Sequence, residues 1–214
     1  MVVVALFAGA SAFGSGFALY EPSVISHAMG GALVGKAMDA SANFNNPATL
    51  TDLTNIWVTV GFVTEHPRAK VRAFNNGRCL GDVNTDAGLF WLPHFQLAVP
   101  LPYGFTFGLA GDAEYGLGTD FGEAAPTAWS CTETMVQGYV INPNLAYKVT
   151  DKWSLGAGMR FLFFDFEQHS YPVVTPYGHR FKNRLKGDND MEDFGYQVGT
   201  KYDLFDNFAV GLVY

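Results

Sequence analysis

The chain has 214 residues, of which 49% are hydrophobic and 15% aromatic, while only 15% are charged, against about 25% in an ordinary soluble domain. A formal net charge of -7 leaves nucleic-acid binding without an electrostatic footprint, and apolar residues never run for the roughly 20 positions that a membrane-spanning helix needs. Two cysteines, Cys79 and Cys131, exclude a disulfide-dense scaffold and a four-thiolate metal site.

Met1 to Phe13 is apolar and ends in Ala10-Ser11-Ala12, which fits the apolar core and small-residue cleavage site of a secretory signal over residues 1–12. The basic start of such a signal is missing, since no Lys or Arg precedes Lys36, so a truncated start is expected; a buried N-terminal strand is the alternative. Residues 13–54 carry neither strand alternation nor a sustained helical period and read as a compact plug. Ser23 to Met38 has room for short helical turns, and Asn45-Asn46-Pro47-Ala48 interrupts any helix because the residue before Pro is pushed out of the α region.

From residue 55 the chain alternates. Trp153, Leu155, Ala157, Met159, Phe161 and Phe163 share one face, with Ser154, Gly156, Gly158 and Arg160 on the other, a period of two that defines a strand. The same alternation recurs around Phe105, Phe107 and Leu109 and around Phe194, Tyr196, Val198, Tyr202 and Leu204. Strands are expected at 55–66, 86–100, 103–116, 134–149, 152–168, 192–205 and from 207 onward, most of them longer than the common five or six residues and long enough to cross a bilayer. Turns at 101–104, 150–152 and 205–207 are short, whereas 67–85, 117–133 and 169–191 are read as long polar loops. Alternating short and long connections are the mark of a transmembrane antiparallel β-barrel in the outer membrane; a large β-sandwich or lipocalin-like barrel is the soluble alternative.

Gly16-Phe17-Ala18-Leu19-Tyr20-Glu21 and Asn46-Pro47-Ala48 lead an ordered series of motifs. Trp91-Leu92-Pro93-His94-Phe95, Ala98-Val99-Pro100, Tyr115 to Phe121, Glu133-Thr134-Met135 and Trp153-Ser154-Leu155-Gly156 follow. In this order and approximate spacing the series resembles the FadL-type family of outer-membrane transporters for long-chain fatty acids and other hydrophobic compounds. The resemblance runs over nearly the whole chain from Gly16 and implies an all-β fold: a fourteen-stranded barrel, about seven strands of it present in residues 55–214, with residues 13–54 as an N-terminal hatch inside the lumen. It implies passive transport of a hydrophobic small molecule across the outer membrane by a monomeric barrel surrounded by outer-membrane lipid, with lateral exit at a kink in barrel strand three. Asn46, Pro47 and Ala48 match the hatch positions tied to gating; Phe90, Gly111, Asp112 and Ala113 match the lateral opening. Phe17, Leu19 and Phe44 are the apolar ligand contacts that the hatch would supply. A purely structural or adhesive barrel remains the rival function.

The family's basic side chain near the outer end of strand five is absent, because Gln168-His169-Ser170 stands there. Alternation turns Arg160, Lys148, Lys201 and His94 inward, each able to meet a ligand carboxylate; for Arg160, pairing with Asp112 or Asp203 is the structural alternative. Basic and acidic residues of the 169–191 loop, including His179 and Arg180, read as a solvated surface. Cys79 and Cys131 fall in the first two outer loops of the family topology, which suggests one disulfide between them. No nucleophile elbow, zinc-protease, phosphate-binding or dinucleotide motif is present, and the five histidines lack metal-ligand spacing. No enzyme activity, metal or cofactor is therefore expected. Alternation runs to Tyr214 without a closing signal, so a C-terminally truncated barrel is expected, an open edge in hydrocarbon being costly.

Overall fold

A computed structural model describes residue 19 and residues 23–85, 88–123, 125–126, 128–171, 182–187 and 192–214. The signal reading, Phe17, His179 and Arg180 lie outside these residues.

Seven strands follow one another in a single antiparallel sheet: β1 (Trp57–Glu65), β4 (Phe90–Pro100), β5 (Phe105–Asp120), β6 (Glu133–Lys148), β7 (Trp153–Ser170), β9 (Glu192–Phe205) and β10 (Phe208–Val213). A short β8 (Asn183–Gly187) pairs with the far end of β7, from Phe166 to Ser170. β2 (Lys70–Asn75) and β3 (Arg78–Asn84) form a separate two-stranded sheet. The expected polar loop at 67–85 is therefore largely a hairpin. Asn76 and Gly77, with φ of 47° and 77°, close it in the left-handed geometry that a two-residue turn requires.

The seven strands arise where alternation is strongest, and the sheet separates its residues cleanly. On β6, Tyr139, Ile141, Leu145 and Tyr147 are exposed while Val140, Asn142, Asn144 and Ala146 are buried. On β7, Trp153, Leu155, Met159 and Phe161 are exposed and Ser154 is buried. Val60, Phe62, Trp91, Phe95, Phe107, Phe194 and Val198 continue the same apolar outer surface across neighbouring strands. In water each such side chain would forgo about 1.5–3 kcal/mol of burial, and a patch of this extent is foreign to a soluble monomer. Among the described residues no helix is long and apolar enough to cross a membrane.

The polar face is covered by the chain's own start. After α1 (Val24–Ala28), which reaches Asn45 through Ser26, α2 (Ala42–Asn45) and a 3-10 turn at Pro47–Asp52 lie against the sheet, α2 on β5 and β6 and the turn on β5, β6, β7 and β9. Ser23 caps α1 by accepting a hydrogen bond from the Ser26 amide at 3.1 Å. Asn46 caps the 3-10 turn by accepting from the Ala48 amide at 3.0 Å. Pro47 follows at the first position of the turn, where its missing N–H costs nothing. A small core of Ala37, Ala40, Ala42, Leu50, Leu53, Ala98 and Ala146 joins this segment to the sheet.

Candidate functional site

Glycines on the inner face of the sheet make seats for the N-terminal segment. A methyl group added at Gly108 of β5 would collide with the side chains of Asn43 and Leu50; at Gly156 of β7, with the backbone of Pro47 and Ala48; at Gly199 of β9, with Asn46; at Gly211 of β10, with the backbone of Val34 and Gly35. Asn43 donates to Leu97 O of β4 at 2.9 Å. Its own carbonyl accepts from Asn142 at 3.0 Å and from Gln197 at 2.7 Å, and its side-chain oxygen accepts from Asn144 at 3.0 Å. Asn46 donates to Val34 O at 2.7 Å and to Thr200 O at 3.2 Å. Thr51 donates to Ser154 Oγ at 2.7 Å. Buried amides bonded in this way hold the segment without the cost of orphaned polar groups. Asn46, Pro47 and Ala48 thus sit at the center of the contact, fully buried.

The inward cations are met by carboxylates. Arg160 pairs with Glu114, whose side chain is 7% exposed, and the guanidinium lies 5.6 Å from the center of the Phe44 ring. The expected partners of Arg160, Asp112 and Asp203, are engaged elsewhere: Asp112 accepts from Gln96 at 2.8 Å, and Asp203 lies 3.1 Å from Lys201. Alternation identifies the face of a side chain but not its height along the strand, which is why Glu114 was missed. Lys201 is buried between Asp52 and Asp203. Lys148 stands at the strand end, 44% exposed and 3.2 Å from Asp151. His94 is buried against Gly61. Phe44, Asn45, Glu114, Tyr115, Arg160 and Gln197 line an inner cavity of about 660 Å³.

β4 and β5 part company partway along. Their pairing runs from Pro100↔Thr106 to His94↔Asp112; beyond it Phe90 to Pro93 pair only with β1, and Ala113 to Asp120 only with β6. On the β6 side the register shifts between Ala113 and Tyr115, so Glu114 is bulged one residue past the expected Gly111 to Ala113. A bulge resets the alternation, and Glu114 and Tyr115 both line the inner cavity. A cavity of about 260 Å³ occupies the resulting seam, walled by Leu19, Phe90, Trp91, Ala113, Tyr115 and Tyr139 among others. Leu19 donates its amide to Glu114 O at 2.6 Å, and its side chain sits 3.1 Å from where a Cβ on Gly116 would be. Phe90 lays its ring over Gly118. Gly111 still pairs with Phe95, below the seam.

The disulfide suggested between Cys79 and Cys131 is not made. Both are free thiols, Cys79 exposed on β3 and Cys131 with its sulfur 3.1 Å from Thr134 Oγ1. Cys79 is tied into a hairpin of its own, opposite Phe74. Among the described residues no cluster of His, Cys, Asp and Glu could hold a metal ion.

A family model described as outer membrane protein transport protein (OMPP1/FadL/TodX) matches residues 4–214. Among curated proteins, the long-chain fatty acid transport protein of Salmonella typhi is 23% identical over 232 residues, spanning 100% of this chain and 53% of its own length. Its counterpart in Shigella flexneri is 28% identical over 243 residues, spanning 100% and 54%. The chain spans about half the length of the curated relatives it matches. The crystal structure of a Pseudomonas aeruginosa FadL homologue superposes with a TM-score of 0.76 at 20% identity, over 93% of this chain and 52% of that one. The P. putida toluene transporter TodX gives 0.64 at 16% identity, over 88% and 53%. At these identities the two structures establish a shared fold. The chain belongs to the OMPP1/FadL/TodX family and is an outer-membrane β-barrel protein with its strands in a curled sheet.

Proposed function

We propose that this chain, as a member of that family, contributes the first half of a barrel that passes hydrophobic small molecules, long-chain fatty acids or compounds of similar character, passively across the outer membrane. Residues 13–54 act as the hatch in its lumen, gated by Asn46, Pro47 and Ala48. Ligand enters the cavity beside Phe44 and leaves sideways between β4 and β5, past Phe90 and Ala113. The observation that carries this reading is the seam itself: two neighbouring strands lose their ladder above His94↔Asp112, and a cavity lies there beside an apolar outer surface. In hydrocarbon, unpaired strand backbone is expensive, so a gap in the wall implies a use. Short turns would face the periplasm and the β2–β3 hairpin the exterior.

Uptake of a radiolabelled hydrophobic compound by cells carrying the intact protein tests it. Ala113→Trp fills the seam, and uptake is expected to fall to the vector level while the barrel still assembles, seen as heat-modifiable migration. Unchanged uptake in that variant would exclude sideways exit. Absence of saturable uptake by the wild type would favour the structural or adhesive barrel.

A further inference from the structure

We infer that the cargo of this barrel is uncharged, a neutral hydrophobic molecule and not a carboxylate. This rests on the transport reading above and narrows it.

Lysine and arginine fall at three positions on the inner face of the seven strands, Lys148, Arg160 and Lys201, and every one is already matched. Arg160 has Glu114 at its guanidinium and the Phe44 ring over it. Lys201 is bracketed by Asp52 and Asp203. Lys148 has Asp151 at the exposed strand end. Beyond these pairs the inner face carries a further buried carboxylate, Asp112, held by the Gln96 amide. The balance around the inner cavity is thus neutral to negative.

A carboxylate headgroup arriving beside Arg160 would compete with Glu114, a side chain already buried, for a guanidinium whose charge is already neutralised, and would set two carboxylates against one cation. Removing one partner of a buried pair costs far more than the pair itself contributes, so the exchange is unfavorable. The seam repeats the pattern: among the described residues its wall includes Glu65 but no lysine or arginine. A neutral molecule meets no such penalty along either cavity, where Phe44, Leu19, Phe90, Trp91 and Tyr139 offer apolar contact. Desolvating an unpaired charge in those surroundings is what the wall discriminates against.

Two probes with one tail separate the possibilities: oleate and its methyl ester, each competed against a fluorescent hydrophobic reporter on the intact protein in detergent at neutral pH. The wild type is expected to bind the ester at least about tenfold more tightly than the acid, a ratio equivalent to about 1.4 kcal/mol. Glu114→Gln uncovers the Arg160 charge, so affinity for the acid should rise and the ratio shrink several-fold. The double variant Glu114→Gln/Arg160→Gln should restore the ester preference, because the uncovered cation is gone. Acid binding equal to or tighter than ester binding in the wild type overturns the inference, as does a ratio that Glu114→Gln leaves unchanged. The wild-type ratio decides alone if a variant fails to assemble. Lack of saturable binding by both probes would instead overturn the transport reading beneath it.

Discussion

Asn46 fills the hollow that Gly199 leaves. Its side-chain oxygen occupies the space a methyl group at 199 would need, while the same carboxamide bonds Val34 O, Thr200 O and the Ala48 amide. A residue of the N-terminal segment and a residue of β9, far apart along the chain, are therefore shaped for one another.

Asn46→Ala is expected to leave Val34 O, Thr200 O and the Ala48 amide short of a partner, at about 1–3 kcal/mol for a buried group so stranded. Gly199→Ala should act on the same contact from the other side, by overpacking worth about 1–3 kcal/mol. Hydrogen exchange across residues 42–53 measures both, and it should quicken in each variant while the strands stay protected. Protection of 42–53 equal to wild type in Gly199→Ala would contradict the seat.

Lys201→Met should destabilize the protein by leaving Asp52 and Asp203 facing each other without a cation. Breaking a buried pair costs about 3–5 kcal/mol, and the low end applies because Asp203 is 37% exposed and so partly screened. The unfolding midpoint of the intact protein in detergent reads the loss. Adding Asp52→Asn should recover part of it, and no recovery would mean that the lysine acts through packing alone.

Asp82 on β3 accepts from Arg72 at 2.7 Å and lies 3.0 Å from Lys70. The Arg72 guanidinium, followed by Lys70, holds its carboxyl below the usual carboxylate value. A depressed carboxylate stabilizes the folded hairpin above its unfolded pKa of about 4, and the contribution disappears as pH falls through the lower folded value. Protection of the β2 and β3 amides, taken relative to the intrinsic exchange rate at each pH, should thus be unchanged from pH 7 down to about 5 and weaken below about 4. Asp82→Asn should abolish that acid-dependent step.

Cys79 and Cys131 should both react with a maleimide without prior reduction, Cys79 faster because it is the more exposed. In whole cells a membrane-impermeant maleimide should label Cys79, since the β2–β3 hairpin lies on the end of the sheet opposite the short turns. Labelling only after cell disruption would invert the proposed orientation.

Where one face is greasy and the other small or polar, a period of two is enough to place a strand, and the expected ranges around 103–116, 134–149 and 152–168 fall within β5, β6 and β7 or nearly so. The β2–β3 hairpin escaped because its apolar face is only Val71, Ala73 and Val83, set against the charged Lys70, Arg72 and Asp82, although Asn76-Gly77 carried the turn signal. The Glu114 bulge and its pairing with Arg160 depend on register between strands, which composition along one strand does not encode. Glycines 108, 156, 199 and 211 read as a bland polar face for the same reason. Their meaning lies in a segment that approaches them only in three dimensions.

Those four glycines belong to β5, β7, β9 and β10, so the hollows exist as a set only after the strands have found their neighbours. Residues 34–53 leave the ribosome before any of the strands that receive them, yet have nowhere to settle until the wall is assembled. The first part of this region to be made is accordingly the last to come to rest, and its docking marks a correctly registered sheet: a one-residue slip in any of the four strands would turn the glycine outward and present a side chain in its place.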